Sequence, residues 1–230
     1  MSDPAPSAEL LRSLGRLTRG LSALFWGLPA ALVIGVQTVK TDWMDPLGVM
    51  GFIPSLLAIG LLYYGLWLLG DFQKQERIWT HALDRAKLFG FINVGLAPFL
   101  YWLHRMPDNG YYARIVGILA LCGLLFLFNL NQVLQRLTAM LPDETLRHET
   151  RFFTTLNLWL LLAVPLLLAV SIALQGARHL PAALITVAAA LAMVNDWLFL
   201  FLVLLPLAMT MTLIWKVKEV VFGSVFGQHD

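Results

Sequence analysis

The chain has 230 residues, of which 59% are hydrophobic and only 13% charged, with a net charge of +2, one cysteine and a mean hydropathy of +0.73. A soluble domain carries about a quarter charged residues, so composition excludes that class, and the near-neutral balance without a basic run excludes a nucleic-acid binder. The lone Cys122 excludes an internal disulfide and any multi-cysteine metal or redox motif; among apolar neighbours it reads as a small core residue.

The opening stretch MSDPAPSAEL lacks the basic n-region and short h-region of a cleaved signal peptide, so the first apolar block reads as a retained span. That block, 18–39, follows Arg12, Arg16 and Arg19 and contains Pro29. The second, 49–70, runs without a breaker into DFQKQERIW, where Asp71 and Lys74 form an i,i+3 pair, so its helix is predicted to continue beyond the membrane. In the connector 71–87, Thr80 is a candidate N-cap, and Ile78, Trp79, Ala82, Leu83 and Ala86 make an apolar stripe. The third block, 88–103, contains Pro98 and is short for a bilayer, with Lys87 placed to snorkel.

The fourth block, 115–134, is also predicted to continue past the membrane, because Val133, Leu134, Leu137, Met140 and Leu141 keep one helical face until Pro142. The connector 132–151 leads into the fifth block, 152–174, which contains Pro165. An apolar segment at 181–194 is too short to span and reads as an interfacial helix, a re-entrant helix or an extension of the sixth block, 197–215. The blocks lack the alternating pattern of a barrel, which predicts an all-α polytopic bundle of six transmembrane helices. Its parts are a cytoplasmic N-terminal segment 1–17, a membrane domain 18–216 and a cytoplasmic tail 217–230.

Twelve of the sixteen lysines and arginines fall on one side of this scheme, with only Lys40, Arg105, Arg114 and Arg178 on the other. Positive charge stays inside, which puts both termini in the cytoplasm of a plasma-membrane protein. The odd-numbered spans also read as three copies of one hairpin, entered at the candidate caps Ser7, Thr80 and Asp143. Pro29, Pro98 and Pro165 follow Arg16, Arg85 and Arg151 by thirteen or fourteen residues. Each proline removes a helical hydrogen bond and predicts a kink.

A polar belt crosses the spans. Counting 1.5 Å per residue from the basic flanks, Asn93, Asn129 and Asn157 lie about 9–11 Å inside the cytoplasmic boundary. Thr210 and Ser22 lie near that level, and Asp71 and Asn131 lie closer to the cytoplasm. The belt is read as inter-helix glue rather than as a hydrated cavity for a polar ligand, with Asp71 paired to Lys74.

None of the five histidines falls in a span, which excludes buried bis-histidine haem ligation. His81 and His148 have acidic neighbours but no HExxH spacing, and read as solvated. GxSxG, P-loop and GxGxxG motifs are also lacking, so neither catalysis, a cofactor nor a metal is expected. The reading is a non-enzymatic membrane subunit or scaffold. Its partners are the lipid bilayer and a protein docked at hairpins 71–87 and 132–151, with room for a homo-oligomer. The alternative is a small-solute transporter or channel using the belt.

Overall fold

The computed structural model describes residues 8–72, 76–140, 144–176 and 201–222. Among them helix accounts for 94% and no strand forms, as expected where lipid leaves backbone groups no partner but their own helix. The helices are α1 (Ala8–Lys40), α2 (Ile53–Leu69), α3 (Arg77–Leu96), α4 (Pro98–Arg105), α5 (Gly110–Met140), α6 (Glu144–Gly176) and α7 (Phe201–Phe222), with a 3-10 segment at Asp42–Phe52. Five helical units among the described residues are long and apolar enough to cross a membrane, with α3 and α4 together making one of them. The chain is a multi-pass membrane protein. The fifth predicted span falls within α6, a 33-residue helix. Ser7, Lys74, Pro142, Asp143, Arg178 and the 181–194 segment lie outside the described residues.

The packing is tightest at one end. Helix α1 lies along α2, α3 along α5 and α2, and α5 along α6. Leu17, Leu21 and Leu24 of α1 meet Leu66 and Leu69 of α2, Trp79 and Leu83 of α3, Leu130, Leu134 and Leu137 of α5, and Ile214 and Val217 of α7 in one buried cluster. This basic end also carries the Arg16–Asp71 and Lys216–Glu149 ion pairs. Between α1 and α2 the backbones touch. A Cβ added to Gly65 would sit 2.8 Å from Leu24 Cγ and 3.0 Å from the Gly20 carbonyl, the close approach that small residues permit between membrane helices.

The opposite end is organised by the 3-10 segment. Gly48 holds φ +54°, a left-handed conformation that favours glycine. Its carbonyl accepts a hydrogen bond from Tyr101 Oη, which in turn accepts one from Arg105 Nε at 3.0 Å. The Tyr101 ring lies where a Cβ on Gly51 would be, locking the segment onto α4.

Several expectations are corrected. The second helix does not continue past Gly70: α2 ends at Leu69, the Gly70 N–H turns back to Trp67 O, and Phe72 folds onto Trp79. Asp71 pairs with Arg16 of α1, and its expected partner Lys74 lies outside the described residues. The third helix starts at Arg77, so the helix-forming unit runs Arg77–Arg105 and is not short. Thr80 is not its cap; Glu76 holds that position, and Thr80 Oγ1 bonds back to Arg77 O at 2.9 Å. The second helix begins at Ile53 rather than at 49, because the 3-10 segment occupies the intervening residues and Pro54 suits a first turn. The extension of the fourth span is present, since α5 reaches Met140 with Val133, Leu134 and Leu137 buried. Helix is unbroken through Pro29 and Pro165, whereas at Pro98 it divides after Leu96.

Candidate functional site

The asparagines resolve into separate environments. Asn131 of α5, Asn157 of α6 and Thr210 of α7 converge on one buried point. Asn131 Nδ2 and Asn157 Nδ2 each donate to Thr210 Oγ1 at 2.9 Å, and the hydroxyl donates to Pro206 O at 2.7 Å. Asn157 Nδ2 also reaches Pro206 O at 3.3 Å, and Asn131 Nδ2 reaches Leu127 O at 2.8 Å. One hydroxyl thus joins three helices. The other belt members stand apart. Asn129 Nδ2 donates to Leu125 O of its own helix at 2.7 Å, Ser22 Oγ to Thr18 O at 2.8 Å, and Asp71 pairs with Arg16.

Asn93 differs from all of these. It is buried on α3 and lines an otherwise mainly apolar cavity of about 420 Å³, together with Leu28, Leu62, Leu119, Phe126 and Leu207, which reaches Lys40. Its Oδ1 has no hydrogen-bond partner. Four further buried acceptors among the described residues are unpaired: Asn131 Oδ1, Asn157 Oδ1, Thr150 Oγ1 and Thr154 Oγ1. Thr150, Thr154 and Asn157 follow i, i+4, i+7 spacing, so they form one polar face of α6, a pattern legible in the sequence that the depth argument passed over.

The knot yields a direct expectation. Replacing Thr210 by Val removes the acceptor of two buried amides and should cost about 1–2 kcal/mol, measured by thermal or denaturant unfolding in detergent. Asn129→Leu should be near neutral, because that amide serves only its own helix. Equal losses in the two variants would mean that the knot contributes nothing across helices.

Three further polar assemblies lie outside the belt. Thr38 and Ser55 hydroxyls meet at 3.0 Å between α1 and α2. Gln135, Arg136, Ala139, Arg147 and Arg151 line a cavity of about 210 Å³ at the junction of α5 and α6, where Arg147 Nη2 donates to Ala139 O at 3.0 Å. Asp42, Asp45 and His104 bring their ligand atoms within 4.8 Å of one another at the opposite end of the bundle. His81 and His148, which the sequence marks as solvated, are both exposed. Asp42 and His104 are brought together by the chain reversal between α1 and α4, and no local spacing announces it. The chain matches no family model, no curated protein and no solved structure.

Proposed function

We propose that the chain is a non-enzymatic subunit or scaffold of the plasma membrane, with six spans in three repeated hairpins, both termini cytoplasmic, engaging a partner protein through 71–87 and 132–151. The observation that carries this reading is the arginine cavity between α5 and α6. Arg136 and Arg151 line, with Gln135, Ala139 and Arg147, a space of about 210 Å³. Guanidinium groups facing one space suit an acidic segment of a partner, through bidentate guanidinium–carboxylate contacts. The stripe of 71–87 contributes differently. Trp79, Leu83 and Ala86 are buried against α1 and α5, so that hairpin supports the face from within and leaves Ile78 exposed.

Affinity purification in mild detergent tests the proposal. Wild-type chain should bring down a stoichiometric acidic partner, and Arg136→Gln/Arg151→Gln should weaken that association about tenfold or more. Purification as a lone oligomer, stabilised against heat by a solute, would replace this reading with the transporter one. What favours that second reading is Asn93 Oδ1, an unpaired acceptor in a cavity large enough for a small molecule.

Orientation is tested separately. In a Cys122→Ser background, cysteine at position 108 should label from outside intact cells with an impermeant maleimide, and cysteine at 84 should not. The reverse pattern would invert the topology and place the arginine cavity outside.

A further inference from the structure

We infer that Asp42, Asp45 and His104 form a divalent-cation site at the end of the bundle opposite the Arg16–Asp71 pair. The argument begins with the imidazole. His104 Nδ1 lies 3.3 Å from Val39 O, while Nε2 lies 3.3 Å from Asp42 Oδ1 and 3.7 Å from Asp45 Oδ1. Both ring nitrogens therefore face oxygen acceptors. A neutral imidazole has one N–H to give. With the Nδ1 proton directed at the Val39 carbonyl, a metal ion on Nε2 takes the place that a second ring proton would hold between the imidazole and the two carboxylates.

Two of the three ligand separations match those around a bound ion, and the exposed carboxylates can rotate to close the third. The Nε2–carboxylate separations are 3.3 and 3.7 Å. They bracket the distance of about 3.4 Å between two ligands of a tetrahedral ion whose bonds are about 2.1 Å long. The Val39 carbonyl acts as the outer partner that orients a metal-bound histidine and fixes its tautomer. The ring is largely buried, whereas the Asp42 side chain is 88% exposed and that of Asp45 46%, so solvent can complete the coordination shell. One nitrogen and two oxygens suit Zn²⁺ or Mn²⁺ better than Mg²⁺, which prefers an all-oxygen, largely hydrated octahedron. Bound there, the ion ties the 3-10 segment after α1 to α4. This site is independent of the arginine cavity.

The experiment uses the full chain, purified in detergent and stripped with EDTA, then titrated with ZnCl₂ and, separately, MgCl₂ by calorimetry. Wild type should take up one Zn²⁺ with at least about tenfold preference over Mg²⁺. Asp42→Asn and His104→Gln should each weaken Zn²⁺ binding about 10–100-fold. Melting curves in EDTA separate ligation from folding. Asp42→Asn, at an exposed position, should melt like wild type in EDTA and should lack the upward shift that Zn²⁺ gives wild type. Unchanged Zn²⁺ affinity in Asp42→Asn, or equal wild-type affinity for Zn²⁺ and Mg²⁺, would overturn the assignment.

Discussion

Trp79→Ala is expected to lower the stability of the chain by about 3–5 kcal/mol, the range for deleting a fully buried tryptophan. Trp79 has no solvent exposure, and it packs edge-on against Phe72 with ring centroids 6.2 Å apart. Its Nε1 donates to Phe72 O at 2.9 Å, so the side chain also holds the turn that ends α2. The substitution removes both the volume and the hydrogen bond. Ile78→Ala, one residue earlier and 56% exposed, should change stability by less than about 1 kcal/mol. Unfolding monitored by circular dichroism in detergent compares the two. A Trp79→Ala loss no larger than that of Ile78→Ala would show that the stripe is not packed into the bundle.

Gly65→Val should be comparably severe, costing about 3 kcal/mol. The added Cβ meets the Leu24 side chain and the Gly20 carbonyl at 2.8 and 3.0 Å. A leucine can change rotamer, but a helix backbone can yield only by moving α1 away from α2. The control lies on the same helix. A Cβ on Gly60 meets nothing within 4 Å, so Gly60→Ala should be neutral or slightly stabilising, since alanine favours helix over glycine. If both substitutions prove equally mild, the two helices are not in backbone contact at Gly20 and Gly65.

How far the sequence could be read depended on which quantity a residue's position determines. The continuation of α5 to Met140 was legible because Val133, Leu134 and Leu137 recur on one helical face and all are buried. The end of α2 was not. Gly70 permits a helix stop without requiring one, and the contacts that hold the turn, Asp71 with Arg16 and Phe72 with Trp79, come from residues outside it. Depth in the belt followed from rise per residue, yet depth says nothing of direction. Asn129 and Asn131 are two residues apart, about 200° around a helix. They had to face different neighbours, and only Asn131 reaches Thr210. His104 could not be connected to Asp42 at all without the fold.

The placement of the core at one end has a consequence for how the protein meets its bilayer. The helices are pinned together where Leu17, Leu69, Trp79, Leu137 and Val217 meet, while the cavity of about 420 Å³ extends from Asn93 toward Lys40, the far end of α1. A membrane thinner or thicker than the apolar span is accommodated by helix tilt, at fractions of a kcal/mol per Å of mismatch. Tilt about a pinned base moves the unpinned ends most. A change of tilt is thus expected to alter the cavity more than the packed basic end, with the Thr38–Ser55 and Tyr101–Gly48 contacts limiting how far the helices part.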